Sequence, residues 1–470
     1  MDIHVVKSGD TLTRLSQQYS VSTHAIVRAN GLENPNILVV GSSLLIPKPY
    51  IRYKVQPKDT LSSISTKFGT TVQAIMQASH ITNESSMYIG KTLTIPVIYH
   101  TVKPGDTFWN IAKKYSTTVQ AILQTNHLTN HSLLNIGQTL RIPEAPKLII
   151  DVNGFTNIYG QVGSQQVREV ASDLTYISPF GYRIQKDGTL KSIDDEPTIQ
   201  ATLSNHIIPI MVITNFSATE AGTALADTIL SNDNLVEKLL TNVITTMRAK
   251  GYRGLNIDFE NVSPTNLEHY NALLQKAVDR LHPLGYFISS SLAPKTSAGQ
   301  KGLLYESHDY TAHGRILDFV VLMTYEWGYR LGPPQAISPI NQIRNVLDYA
   351  VTVIPRNKIF LGFQVYARDW LVPHVKGQEA QTFDVQEAFR LAVKYNAEIQ
   401  YDQATQSPFY RYIDEEGHHH EVWFEDARSA QAKFNLVKEY NLRGISYWVL
   451  GYPFPQNWTL LEDNFLIRKL

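Results

Sequence analysis

Between residues 148 and 470 the chain alternates eight times between an apolar run of strand length and a longer stretch with helical patterning. Few architectures accept that rhythm. The strand-length runs fall at 148–152, 174–177, 207–212, 254–260, 287–292, 319–325, 359–363 and 444–448, with helical patterns such as 234–250 and 264–282 between them. Parallel strands joined by helices bury both sheet faces, and eight such units close on themselves, so the pattern predicts an α/β fold of the (β/α)8 barrel type over 148–470. The interval between the last two runs is long, which predicts an insertion or elaborated loop at about residues 380–440.

The fourth run, Gly254-Leu255-Asn256-Ile257-Asp258-Phe259-Glu260, is unusual for a buried strand. Side chains alternate faces, so Asn256, Asp258 and Glu260 share one face and stand roughly 6.5 Å apart. An unpaired buried carboxylate is costly, so two acids at this spacing imply a site that uses them. Barrel chemistry gathers at the C-terminal ends of the strands. Met323, Tyr325 and Glu326 close the sixth run, with Trp327 next to them; Gln364 and Tyr366 close the seventh, and Trp448 the eighth. Asn153 after the first run and Asn215 after the third belong to the same rim, while Asp151 reads as a core or loop-capping acid. Acids for glycosidic chemistry and aromatic faces for stacking make this rim a candidate sugar site.

The first 145 residues repeat three times. Gly9-Asp10-Thr11-Leu12, Lys58-Asp59-Thr60-Leu61 and Gly105-Asp106-Thr107-Phe108 are spaced by 49 and 47 residues, and each copy closes on Leu-x-Ile-Pro. Within a copy the signals order as strand, helix, helix, strand, with Asp10 or Thr11 available to cap the first helix.

Composition narrows the function. Lys plus Arg and Asp plus Glu are equal at 42 each, which offers no electrostatic case for nucleic acid or an anionic membrane surface. The chain has no cysteine, which removes disulfides and thiolate chemistry. No run approaches the ~20 apolar residues of a membrane span, and the start shows no signal-peptide pattern, so delivery outside ordinary secretion is expected. His418-His419-His420 looks like a metal tract, but three consecutive residues do not all face one ion; a solvated loop, with no metal and no cofactor, is the expectation.

The repeats resemble LysM modules, small βααβ domains that bind N-acetylglucosamine-containing glycans, here at 1–48, 50–97 and 99–144. The resemblance implies a sugar groove formed by Gly9, Asp10, Thr11, Asn30 and Gly31 in the first copy. The corresponding positions are Asp59, Thr60, Ser79 and Ile81 in the second copy, and Gly105, Asp106, Thr107, Asn126 and Leu128 in the third. The second copy departs from the pattern at Lys58 and Ser79. Several weak modules on one polymer gain affinity through effective concentration.

Residues 148–470 resemble glycoside hydrolase family 18. Its fourth-strand motif, Asp-Gly-x-Asp-x-Asp-x-Glu, aligns with Arg253 to Glu260, its sixth-strand Met-x-Tyr-Asp with Met323 to Glu326, and its eighth-strand tryptophan with Trp448. With LysM modules attached, the chain is most similar to the spore cortex-lytic N-acetylglucosaminidases of that family, which implies spore cortex or coat deposition and cell-wall association. A monomer acting on peptidoglycan or a chitin-like polymer is expected. The resemblance implies a substrate-assisted, retaining mechanism, for which this family is an exception among glycosidases. Glu260 is then acid and base, Asp258 orients the acetamide, and Tyr325 bonds to it. Arg253 and Asn256 replace the two earlier motif acids, and Asn256 is expected to donate a hydrogen bond to Asp258. The remaining rim residues, Trp448, Glu326, Met323, Trp327, Asn153, Gln364 and Tyr366, are expected to line the substrate. A chitinase and a catalytically weak glycan-binding barrel are the competing readings.

Overall fold

The computed structural model describes residues 1–470 apart from 48–49, 80, 82–85, 116, 130–132, 144–146, 218 and 470. It divides into two compact units, one dominated by the N-terminal repeats and the other by the region from residue 149 onward.

Each repeat is a two-stranded antiparallel sheet with two short helices. The first comprises Asp2–Val5, Leu12–Tyr19, Thr23–Asn30 and Ser43–Ile46. The second comprises Tyr50–Lys54, Leu61–Phe68, Val72–Ala78 and Thr92–Pro96; the third, Ile98–Thr101, Phe108–Lys114, Val119–Thr125 and Thr139–Ile142. The threonine, not the aspartate, caps the first helix of every copy: Thr11, Thr60 and Thr107 each accept a hydrogen bond from a first-turn backbone N–H. The aspartates brace the first strand instead. Asp10 pairs with His4 at 2.8 Å and Asp106 with His100 at 2.7 Å, while Asp59 accepts from Tyr53 Oη at 2.8 Å. The residue before each aspartate has positive φ, which Gly9 and Gly105 adopt freely and Lys58 does not; the left-handed region costs a residue with a Cβ roughly 1–2 kcal/mol.

The second unit is a closed eight-stranded parallel barrel. Its strands are β1 (Leu148–Thr156), β2 (Tyr176–Pro179), β3 (Ile208–Thr214), β4 (Gly254–Asp258), β5 (Phe287–Leu292), β6 (Phe319–Leu322), β7 (Ile359–Gln364) and β8 (Gly444–Trp448). They pair in chain order and β8 returns to β1. Between strands run helices such as Asp233–Lys250 and Leu267–Leu281, which bury one apolar stripe each. The lower lumen is filled by interlocked rings of Tyr176, Phe287, Phe319 and Phe360 with centroids 4.9–6.3 Å apart. Arg443 lies over Phe319 and pairs with Asp151 at 2.9 Å; Asp151 also takes Arg468, which makes it the core acid expected.

Two boundaries differ from the sequence reading. β6 stops at Leu322, because Thr324 N–H turns back to Leu322 O and Thr324 Oγ bonds across to Gly362 O. The insertion begins earlier than expected and ends earlier. It is a five-stranded antiparallel sheet, Tyr366–Val372, Gln381–Asp384, Gln400–Asp402, Ser407–Ile413 and His419–Trp423, with helix Val385–Lys394; the next helix, Ala427–Glu439, belongs to the barrel. Tyr366 therefore opens the inserted sheet and does not close β7.

Candidate active site

Asn256 and Asp258 sit on β4, and Glu260 follows two residues beyond its end. Register places Asn256 beside Val212 of β3 and Ser289 of β5, and Asp258 beside Thr214. The carboxyl of Asp258 is almost fully buried, at 4% exposure, and its Oδ1 has no hydrogen-bond partner among the described residues. Burial, then the neighbouring Glu260, holds its pKa well above the ordinary carboxylate value, with Ser291 acting the other way. Glu260 is pushed up to about 7, first by burial and then by Glu326.

Asn256 does not serve Asp258 as expected. Its amide donates to Ser289 Oγ and accepts from Ser291 Oγ, both at 3.1 Å, so β5 fixes its orientation. Asn215 performs the positioning in its place. It lies fully buried just past β3, accepts from Glu260 N–H at 2.9 Å and donates to Glu260 O at 2.7 Å. Behind β4, His308 accepts from Ala293 N–H at 2.8 Å, which leaves its Nε2 hydrogen to donate to Phe259 O at 2.9 Å. Burial lowers its pKa to about 4, so it works as a neutral bracket.

Tyr325 faces the same group: burial raises its phenol, followed by Asp258, Glu260 and Glu326 in that order. Its ring is admitted by Gly362, where a Cβ would stand 2.9 Å from the ring edge and 2.2 Å from Leu322 O. Glu326 adopts positive φ and is gripped by Tyr366 Oη and by Arg368 Nη2 at 2.8 Å. A left-handed glutamate held by two buried partners is a feature the surroundings enforce. Half-buried Trp448 meets Phe180 and Phe155 edge-on at 4.9 and 5.7 Å, which fixes its plane at the top of β8.

The model for glycosyl hydrolases family 18 matches residues 162–452, and the LysM domain model matches 4–47, 53–96 and 100–143. The chain belongs to glycosyl hydrolase family 18. It is 45% identical to a cortical fragment-lytic enzyme of Bacillus subtilis, over 100% of this chain and 99% of that one. It is 30% identical to a putative sporulation-specific glycosylase of the same organism over the full length of both. Among solved structures it is similar to the spore cortex-lytic enzyme SleL of Bacillus megaterium, with TM-score 0.81, 38% identity and coverage of 100% of this chain and 99% of that one.

Three rim residues of this family 18 barrel do other work than the sequence suggests. Asn153 is 2% exposed and spends its amide on Ser446 Oγ and Ser178 Oγ inside the barrel. Gln364 is fully buried and donates to Glu425, itself paired with Lys433. Tyr366 is buried against Glu326. Asn153 and Tyr366 have their polar groups taken up by protein partners, whereas Gln364 Oε1 lies buried with no hydrogen-bond partner among the described residues. Met323 and Trp327 stay half-buried in the loop after β6, with Trp327 tied to Ile337 and Gln335.

In the repeats, Asn30 donates to Ile26 O and Leu45 O and accepts from Leu45 N–H, and Asn126 repeats that bracket on Ile122 and Arg141. Ser79 makes the shorter version on Thr94. These side chains fasten the second helix to the last strand, and Ile81 and Leu128 pack into module cores, so all five are structural. Gly31 is the left-handed cap of its helix. Sequence reasoning missed the apolar groups these modules expose: Tyr88, Ile89, Trp109 and Ile136 are each at least 65% exposed.

Proposed function

We propose that this chain is a retaining N-acetylglucosaminidase that cuts spore cortex peptidoglycan fragments, held on the polymer by its LysM modules. The observation that carries the reading is the buried pair at the end of β4: one carboxyl poised to donate a proton at neutral pH, the other with an oxygen that no group among the described residues satisfies. Glu260 protonates the glycosidic oxygen as that bond breaks. The substrate's own 2-acetamido oxygen closes on the anomeric carbon, giving an oxazolinium ion. The acetamide N–H supplies the partner that Asp258 Oδ1 lacks, and the positive charge developing on the acetamide offsets the burial that favours protonated Asp258, so that its carboxylate form balances that charge. Glu260, now a carboxylate, takes a proton from water as it opens the ring with net retention. Tyr325 donates to the acetamide oxygen, and Trp448 offers the apolar face beneath the sugar.

The cortical substrate is supported by full-length similarity to a cortical fragment-lytic enzyme and by the LysM repeats, which match a family of glycan binders. This reading puts the enzyme on the spore cortex. Among the described residues no helix is long and apolar enough to cross a membrane.

Mass spectrometry of products from purified cortex fragments and from chitin oligomers tests the proposal. New reducing-end N-acetylglucosamine from cortex is expected. Cleavage of chitin alone would overturn the cortical reading, and cleavage of neither would overturn the enzyme. Removing residues 1–145 is expected to reduce retention on insoluble peptidoglycan; undiminished retention would sink the anchoring role.

A further inference from the structure

The inserted sheet carries a second cluster of chemistry-bearing side chains that the glycosidase reading does not use. Strands Ser407–Ile413 and His419–Trp423 form a hairpin whose turn contains Asp414, Glu416 and His418. One ligand atom from each of these three lies within 4.8 Å of the others. Alternation along the strand returns His420 to the side of His418 and sends His419 to the opposite face. His418 Nδ1 is 3.0 Å from Asp414 Oδ2, and His420 Nε2 is 3.3 Å from the same oxygen. His418 and His420 each approach the same oxygen of Asp414, so the exposed turn brings two of the three histidines to one carboxylate.

The ring of His420 stands between two carboxylates. Its Nδ1 meets Asp369 Oδ1 at 2.9 Å, and Asp369 is oriented by the hydroxyl of Tyr412, whose ring stacks on His420 at 4.4 Å. Whichever nitrogen of a neutral imidazole carries the hydrogen, the other turns a lone pair toward a carboxylate oxygen. A cation at Nε2 removes that conflict. A carboxylate behind the far nitrogen of a histidine is also the arrangement that orients metal-bound imidazoles and raises their basicity. Glu415 pairs with Lys394 instead, so it turns away from the cluster.

We propose that Asp414, Glu416, His418 and His420 form a binding site for a divalent transition ion of the zinc class, with Asp369 as the residue that orients His420. Two imidazoles and two carboxylates make a donor set suited to zinc, and too rich in nitrogen for magnesium or calcium. The site closes the hairpin end of the sheet whose strand Tyr366–Val372 also carries Asp369.

The test is calorimetric titration of the full-length protein, first treated with chelator, with zinc chloride, alongside thermal unfolding with and without zinc. One equivalent of zinc is expected to bind and to raise the melting temperature. His420→Ala and His418→Ala are expected to weaken binding at least ten-fold and Asp369→Asn by roughly ten-fold or more, while His419→Ala leaves it unchanged. Circular dichroism without metal checks that each variant is folded. Absence of zinc binding by the wild-type protein would overturn the site. Equal binding by folded His420→Ala, or loss on His419→Ala, would overturn it as well. None of these readouts depends on glycosidase activity.

Discussion

Asn215 grips the main chain of Glu260 from both sides, taking its N–H at 2.9 Å and giving a hydrogen to its carbonyl at 2.7 Å. The proton donor lies beyond the end of β4, where no strand pairing holds it, and a neighbouring strand's amide supplies what the sheet does not. Asn215→Ala is expected to lower kcat about 10–100-fold with a smaller change in KM, because a displaced acid loses alignment more than binding. It is also expected to destabilise the barrel by about 2–4 kcal/mol through two unsatisfied buried backbone groups. Steady-state kinetics with thermal unfolding checks both; unchanged kcat would refute the positioning role.

Glu260→Gln is expected to abolish cleavage and to stabilise the fold at high pH. The folded carboxyl has its pKa raised from 4.5 to about 7, so the native state holds its proton more tightly than the unfolded chain. Stability therefore falls as pH rises from about 4.5 to about 7 and stays lower above. Removing the charge is expected to recover roughly 1–3 kcal/mol at pH 8 and almost nothing at pH 4. Denaturant melts of both proteins at the two pH values read the difference, and equal stabilities at pH 8 would contradict the buried-acid assignment.

Glu326→Gln is expected to move the basic limb of the activity profile to lower pH. Glu326 raises the Glu260 value by like-charge repulsion, and its loss also leaves Arg368 without its carboxylate partner. Both changes favour the ionised form of Glu260, so the acid is spent at a lower pH. A kcat/KM profile from pH 5 to 9 checks this; an unmoved basic limb would mean that the two carboxyls do not interact.

Asn30→Ala is expected to loosen the first LysM module rather than to remove a sugar contact. Three hydrogen bonds within the module disappear, at a cost of about 2–4 kcal/mol, which is large for a domain of this size. Hydrogen exchange over residues 23–46 of the full chain is expected to accelerate. Unaltered exchange with weakened glycan binding would restore the ligand role.

The periodicity of the chain was enough to locate all eight barrel strands, because each is an apolar run bounded by helical patterning. The short polar contacts were not legible. Ser289 and Ser291 orient Asn256 from 33 and 35 residues away, and nothing local in either segment announces the pairing. The start of the insertion was hidden for a different reason. Tyr366 to Val372 alternates and follows β7 after a single residue, so it reads as the same rim. Asn30 and Asn126 looked like ligand groups because turn, bracket and binding roles all favour asparagine, and the hydrogen bonds that show the bracket reach a strand 15 residues on. At His418 and His420 the approach of both rings to Asp414 depends on how the hairpin turns, which the run of three histidines does not state.

The inserted sheet sends Tyr366 and Arg368 back to hold Glu326, and Glu326 in turn sets the readiness of Glu260 to give up its proton. An engineer who pruned that appendage to obtain a minimal scaffold would keep Glu260, Asp258 and Tyr325 and still disturb the tuning of the acid, because the carboxylate that adds to the effect of burial on Glu260 is held in place from there.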